Sequence, residues 1–323
     1  MPREFVRPRV GVSKCLGFAA CRYNGLAISD EFVRRLTDHV DFVPVCPEME
    51  VGLGCPRDPI RVVMIGGQAH LVQPSTGKDI SDAMRALAER FLDGLGPVEG
   101  FILKSRSPSC GIKDVKVYGG PEQKMPQGVG RGFFGGAVLD RLSEAAVEDE
   151  GRLTNFVLRE HFLTKLFALA AFRRMARTPE MKNLVAFHAA HKYLLMAYHQ
   201  TELRALGRIV ANPDHRPVAD LFAAYGPRLA KALARPPRPT GIINVLMHTL
   251  GYVSDGLGAA EKALFLETLE KYRAGQVPLS VATTLLKSWA VRFNVAYLLE
   301  QTFLEPYPEV LVQITDSGKG RGG

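Results

Sequence analysis

The chain predicts an α/β domain over residues 1–148, Rossmann- or flavodoxin-like with a mostly parallel sheet, and an all-α helical bundle over residues 149–323. Three observations predict it. Short Val- and Ile-rich bursts alternate with amphipathic stretches in the first half. From about Leu153 the bursts stop, and long Ala- and Leu-rich segments with apolar residues at i, i+3 and i+4 replace them. All five cysteines lie in the first third, several of them directly after a burst.

The bursts "RVGVS", "VDFVPV", "RVVMI", "AHLVQP" and "GFILKS" are four to six residues long and read as strands. Residues 29–38 and 79–94 carry helical periodicity between them, which is the alternation of a βαβ fold. "MIGGQAHLV" reads as a hairpin turning on Gly66 and Gly67. In the second half, "NFVLREHFLTKLFALAAFRRMA" and "MKNLVAFHAAHKYLLMAYHQTELRALGRIVAN" each read as one long amphipathic helix. Pro213, Pro217 and the run "ARPPRPTG" interrupt the pattern, the run as an extended connection. Helices resume at "IINVLMHTLGYVS", "GAAEKALFLETLEKYRAG" and "LSVATTLLKSWAVRFNVAYLLEQTF". The Gly-rich tail "DSGKGRGG" carries no readable function.

No apolar run approaches the roughly 20 residues that a bilayer requires, and "MPREFVRPRV" lacks a secretory h-region, so a cytoplasmic protein with no membrane contact is expected. The formal charge of +8 is unevenly spread: residues 1–150 carry a net −1 and the remainder a net +9. A basic second half suits a polyanion such as RNA as well as it suits a merely soluble surface.

An odd set of cysteines in a reducing compartment suits metal or thiol chemistry better than a disulfide framework. Cys15, Cys46 and Cys110 each fall at or just beyond the end of an expected strand. In open parallel sheets that edge is where loops converge on ligands, so thiols distant in sequence can meet there. No C-x2-C pair is present, and three thiolates leave an iron–sulfur cluster, zinc and plain buried thiols all open. "SRSPSCG" presents Cys110 in a loop, with Pro108 stiffening it and Gly111 expected to let the chain turn sharply and expose the thiol.

The blocks "SKCLGFAACRYNG", "PVCPEMEVGLGCPRDPIR" and "ILKSRSPSCG" resemble, in order and spacing, the signature of the bacterial thiouracil desulfurase family over about residues 8–145. The block "FHAAHKYLLMAYHQTELRALGRIVA" resembles the helical domain of unknown function 1722, which implies no settled activity. The first resemblance implies a [4Fe-4S] cluster on Cys15, Cys46 and Cys110, with one iron left open, and non-redox exchange of a thiocarbonyl sulfur for oxygen on a thiolated uracil. Glu48, two residues past Cys46 in the same block, is placed to act as general base or proton shuttle, the alternative being a solvated or helix-capping carboxylate; Ser107 and Ser109, flanking Pro108, suit a bond to the pyrimidine edge or the nucleophile as well as they suit simple loop capping. Lys104, Arg22 and Arg57 either orient these groups or pair with carboxylates. Cys21 stands where the family often has an apolar residue, which argues against it as a ligand. Cys55 stands where no cysteine is called for and reads as a small buried hydrophobe.

His188, His191 and His199, with Lys192, are expected on one helix, bonding neighbouring helices or a polyanion rather than a metal. Arg173, Arg174 and Arg177 form a short basic cluster on a solvated face. The leading expectation is a cluster-dependent desulfurase for a thiolated uracil as free base, nucleoside or tRNA, with tRNA as the polyanion that the basic helical half would recruit. The alternatives are an RNA-binding module with a structural or sensing cluster, and a zinc-stabilised scaffold.

Overall fold

A computed structural model of the chain describes residues 3–316; the Gly-rich tail beyond them lies outside the described residues. Two compact units divide the chain between Phe162 and Leu163. One takes in Val6–Phe162 and the segment from Leu311 onward; the other takes in Leu163–Val310 and the first five positions. The first unit thus extends past the boundary expected at 148/149. Buried Arg159 explains the extension: it donates to the carbonyls of Leu153, Gln313 and Thr315, holding the 150s and the returning 313–315 segment in one unit.

In the α/β unit β1 (Arg9–Ser13), β2 (Asp41–Val45), β6 (Gly100–Leu103) and β9 (Ala146–Asp149) form an all-parallel sheet in the order β2-β1-β6-β9. Counting only these four strands, the order is 2-1-3-4, the flavodoxin-like arrangement, whose direction reverses between β1 and β6. The bursts "RVVMI" and "AHLVQP" do not join it. They become β3 (Arg61–Ile65) and β4 (Gln68–Gln73), which with β5 (Lys78–Asp79), β7 (Val115–Tyr118) and β8 (Gly128–Gly130) make a second sheet, β5-β4-β3-β7-β8. Three of its four pairings are antiparallel. The β3–β4 hairpin turns on Gly66 and Gly67 at φ +58° and +81°, the pair of positive φ values that a two-residue primed turn demands.

Helix α1 (Glu31–Leu36) starts on Asp30, whose side chain accepts from the Val33 N–H. It is followed by the single turn α2 (Pro47–Glu50), α3 (Ser81–Gly94) and α4 (Phe133–Arg141). Met84, Leu87 and Ala88 of α3 and Phe134 and Val138 of α4 close over Phe101, Leu103 and Cys110 in one core.

The helical region contains α5 (Phe156–Ala176), inside which the units divide, then α6 (Met181–Tyr198), α7 (Gln200–Ala211), α8 (Val218–Ala232), α9 (Pro239–Leu250), α10 (Ala259–Arg273), α11 (Leu279–Arg292) and α12 (Ala296–Leu299). The expected single helix from 181 to 212 is two. His199 leaves helical geometry at φ −159°, and its ring accepts the Glu202 N–H as the N-cap of α7. Likewise Asn294, at φ +52°, separates α11 from α12. Helix α8, between Pro217 and the run "ARPPRPTG", was not read from the sequence and carries Pro227 inside it. Helix α6 serves two cores, giving Leu184, Phe187 and Leu195 to the α5–α8 cluster and Tyr193, Leu194 and Ala197 to the α9–α12 cluster. Among the described residues no helix is long and apolar enough to cross a membrane.

Candidate active site

Each chemical group of the site hangs from the C-terminal edge of the parallel sheet, around the β1/β6 reversal. Ser13 ends β1, and its hydroxyl accepts the Lys104 N–H just past β6, pinning the two strand ends together at 2.9 Å. The turn after β1 carries Cys15, Cys46 follows β2 and caps α2, and the 105–111 loop after β6 carries Cys110. A cavity of about 370 Å³ lies beneath them, lined by Cys15, Cys21, Cys46, Cys110, Glu48, Ser107 and Ser109 among others. The three thiols matched as ligands therefore share one pocket, with Glu48 and both serines beside them.

Glu48 is held from both sides. Arg57 forks Nε and Nη2 onto its Oε2 at 2.8 and 2.6 Å. Ser109 donates to its Oε1 at 2.6 Å, with the Ser107 hydroxyl 3.4 Å from the same oxygen and 2.9 Å from that of Ser109. Burial alone would pull the Arg57 guanidinium down, but Glu48 reverses this and holds it above its ordinary value. Arg57 Nη1 also binds the Cys21 and Gly54 carbonyls, at 3.1 and 2.8 Å. Lys104 is not a partner of Glu48: its ammonium pairs with Glu150, which also takes the Ser105 N–H and hydroxyl. Arg22 lines the cavity with its guanidinium 5.6 Å from the centre of the Tyr23 ring.

The Cys110 loop is organised differently from the sequence expectation. Cys110 is 5 % exposed, so its thiol lies in the pocket wall instead of standing out from it. Gly111 does not have a left-handed φ; it is needed because a Cβ there would press on Val115 and the Ser107 backbone. The loop's one left-handed residue is Arg106, at φ +59°. Ser107 folds the loop on itself, its Oγ accepting the N–H groups of Ser109 and Cys110. Around the start of α4, the N–H groups of Gly132, Phe133 and Gly135 take the carbonyls of Gly111, Pro108 and Ser109. A Cβ at Gly135 would collide with the Cys110 carbonyl. This support was missed from sequence; the signal was the block "RGFFGG", a paired glycine inside an apolar helix start.

Of the two remaining cysteines, one lies beside the matched three and the other departs from expectation. Cys21, discounted as a ligand, lines the same cavity as the matched three and is 5 % exposed. Cys55, read as buried, is partly exposed and turns its thiol onto the carbonyls of Ala20 and Arg22, both at 3.2 Å. Cys15, Cys21 and Cys110 resist ionising. Burial first, then Cys46, raises Cys15 to about 11 and Cys21 to about 12, the latter also through a hydrogen bond with Cys46. Burial pushes Cys110 higher still, against a favourable hydrogen bond with Ser13. A cluster of protonated, crowded thiols is a donor set that gains by exchanging its protons for a soft cation. Among the described residues no three His, Cys, Asp or Glu side chains stand close enough together to hold a single metal ion. A [4Fe-4S] cluster, were one bound, would be held by soft thiolate donors, and Cys15, Cys46 and Cys110 line one cavity.

The three histidines expected on one helix each bond a neighbouring group of the helical unit. His191 is buried, stacked on Phe187 at 3.8 Å and bonded through Nδ1 to the Phe187 carbonyl. His188 bonds the Tyr225 hydroxyl of α8 at 3.0 Å, and His199 caps α7. Arg174 of the basic cluster lies 3.9 Å from Glu4.

A parallel sheet whose open edge gathers three sequence-distant thiols and a serine-bound glutamate defines the class, and the comparisons agree with it. Residues 10–150 match the family described as 2-thiouracil desulfurase, and residues 192–308 match DUF1722, a family of unknown function. The chain belongs to the 2-thiouracil desulfurase family and joins to it a DUF1722 domain. It is 35% identical over 109 residues to the uncharacterized protein YbbK of Bacillus subtilis (strain 168), covering 31% of this chain and 71% of that one. Against the uncharacterized protein YbgA of Escherichia coli (strain K12) it is 28% identical over 151 residues, covering 46% of this chain and 89% of YbgA. Among solved structures it is similar to the [4Fe-4S]-dependent thiouracil desulfidase TudS, at 28% identity and a TM-score of 0.36, over 46% of this chain and 93% of that one.

Proposed function

We propose that the protein replaces the thiocarbonyl sulfur of a thiolated uracil with oxygen, consuming water and releasing sulfide, at a [4Fe-4S] cluster held by Cys15, Cys46 and Cys110. The observation that carries this reading is the convergence of those three thiols on one cavity with Glu48, Ser107 and Ser109. When bound, the cluster supplies an open, soft Lewis-acid iron for the thiocarbonyl sulfur. Everything else falls to the chain. Arg57 occupies Oε2 of Glu48 and leaves Oε1 as the oxygen that takes a proton from the attacking water. Ser109, donating to that oxygen at 2.6 Å, keeps it aimed into the cavity, and the Ser107–Ser109 hydroxyl pair offers a path for returning the proton to the pyrimidine ring. The α4 N–H groups on Pro108, Ser109 and Gly111 hold that pair in register with Cys110.

The reading extends to thiolated tRNA recruited by the helical half. Its support is the net +9 after residue 150, and the exposed Arg235 and Arg238, which share a cavity of about 750 Å³ with His199, Gln200 and Lys231. Of these, Lys231 is already paired with Glu202, whereas Arg235 and Arg238 have no carboxylate partner among the described residues. A free base carries no phosphate and has no use for such a surface.

The test is anaerobic reconstitution with ferrous iron and sulfide, followed by ultraviolet detection of thiocarbonyl loss from 2- and 4-thiouracil, thiouridine and thiolated tRNA. Turnover of any of them with release of sulfide is expected from the reconstituted protein alone. Iron-loaded protein that leaves all of them intact overturns the activity. Turnover of the free bases with no gain on tRNA removes the polyanion half of the reading.

A further inference from the structure

The loop that presents Ser107 and Ser109 turns, directly before them, through Arg106 at φ +59°. A non-glycine residue keeps that left-handed conformation only where its neighbours over-determine it. On the far side of Arg106 the Ser107 hydroxyl accepts the Ser109 and Cys110 N–H groups, and α4 takes the carbonyls beyond. On the near side the same work falls to one carboxylate, Glu150. Strands β6 and β9 run parallel with Leu103 opposite Asp149, so Lys104 and Glu150 leave the sheet edge side by side. Glu150 Oε2 accepts the Ser105 N–H at 2.7 Å; its Oε1 accepts the Ser105 hydroxyl at 2.7 Å and the Lys104 ammonium. That ammonium also donates to the Ser105 hydroxyl oxygen at 2.9 Å and to the Ser105 carbonyl at 3.1 Å. Every polar group of Ser105 is therefore engaged. The chain leaves β9 through Gly151, where a Cβ would stand 3.3 Å from the Ser105 hydroxyl oxygen, so the segment closes tightly on Ser105. The Lys104 and Glu150 side chains are 21 % and 12 % exposed, which leaves their ion pair little screened by salt.

We propose that Glu150 is a positioning residue for the reaction: it clamps Ser105 so that the chain enters Arg106 in the left-handed turn that brings Ser107 and Ser109 onto Glu48. The proposal rests on the desulfurase reading above. Glu150 stands outside the cavity lining, whereas Lys104, Ser105 and Arg106 belong to it, so its effect reaches the site through the backbone of the loop. Without the clamp Arg106 relaxes toward a right-handed conformation, and the 2.6 Å bond from Ser109 to Glu48 Oε1 loosens. A loosened Ser109 no longer aims that oxygen, which lowers turnover and leaves substrate affinity nearly as it was.

The experiment uses the full chain and two readouts. Hydrogen exchange, followed by mass spectrometry without substrate, reads the clamp itself: in Glu150→Ala the amides of residues 105–110 are expected to exchange at least about tenfold faster than in wild type, with those of α3 unchanged. Equal exchange in the loop overturns the proposal. Kinetics of the anaerobically reconstituted protein on thiouracil read the consequence: kcat is expected to fall about tenfold or more, with KM within about threefold of wild type. A kcat within about twofold of wild type, or a loss carried by KM alone, overturns it. Glu150→Gln keeps an acceptor for the Ser105 N–H and is expected to fall between wild type and Glu150→Ala in both readouts. Should circular dichroism show Glu150→Ala unfolded, Ser105→Ala decides, because it removes one hydroxyl from the clamp and leaves the backbone bonds: a kcat several-fold lower is expected, and an unchanged kcat overturns the proposal. Wild-type protein that leaves every thiolated uracil intact sinks the desulfurase reading, a separate outcome, and hydrogen exchange then still decides whether Glu150 holds the loop.

Discussion

In the α/β unit four thiols, two seryl hydroxyls and the Glu48–Arg57 pair crowd into one cavity, and their hydrogen bonds run in a chain from Arg57 through Glu48 and Ser109 to Cys110. In the helical unit buried titratable groups are scattered and each closes on its neighbours: His191 on the Phe187 carbonyl, His188 on Tyr225, Glu202 on Arg228 and Lys231. The cores of that unit are built on apolar residues such as Leu246, Phe265 and Leu286. Buried polar groups that share partners constrain one another and hold a set geometry; isolated pairs satisfy desolvation and do little more. The first pattern suits chemistry and the second suits a scaffold whose work is done at its surface.

Five experiments test that contrast, beginning with the most severe. Cys110→Ala should remove all reconstituted iron and all turnover while the circular dichroism spectrum stays that of the wild type. A colourless but active variant would separate the thiol from the reaction. In the helical unit, Phe265→Ala empties a fully buried site packed edge-on against Trp289. It should lower stability by about 3–5 kcal/mol, measured by denaturant unfolding, without changing iron content at low temperature. Glu48→Gln keeps the shape of the carboxylate but not its basicity, so it should retain iron and lose roughly 10²-fold in rate. An unchanged rate would hand the proton to bulk water or to another group.

The surface of the helical unit offers the fourth. Charge reversal of Arg235 and Arg238 to Glu should weaken tRNA binding and lower the slope of log affinity against log salt by about one for each phosphate that is no longer neutralised. An unaltered slope would move the polyanion surface elsewhere. The smallest effect concerns His191, which burial holds at about 4, outweighing the hydrogen bond to Phe187 that pulls the other way. Its folded value lies below the ordinary 6.5, so as pH falls from 6.5 toward 4 the unfolded chain takes up a proton that the folded chain refuses. Stability should therefore decline across that window, be unaffected by this residue above it, and decline less steeply in His191→Asn.

Much was legible in the residues because it is local. Short bursts rich in β-branched residues favour strands, and three of them, at Arg9–Ser13, Asp41–Val45 and Gly100–Leu103, built the parallel sheet as expected. Helical periodicity marked α3, α5 and α10 for the same reason, since apolar spacing and backbone geometry follow each other over a few turns. Cys15, Cys46 and Cys110 were singled out by their places after strand ends, and Glu48 by its signature block; all four line one cavity. What stayed hidden depends on partners far along the chain. β9 is a short acidic segment, "AVED", that is a strand because β6 offers it a free edge. Helix α8 tolerates Pro227 because Tyr225 and Leu229 are buried in a core supplied by other helices. The burial of Cys110, the closure of its loop by α4 and the meeting of Cys21 with Cys46 all join residues some twenty or more positions apart. No window of sequence contains both halves of such a contact, so only packing of the whole unit brings them together.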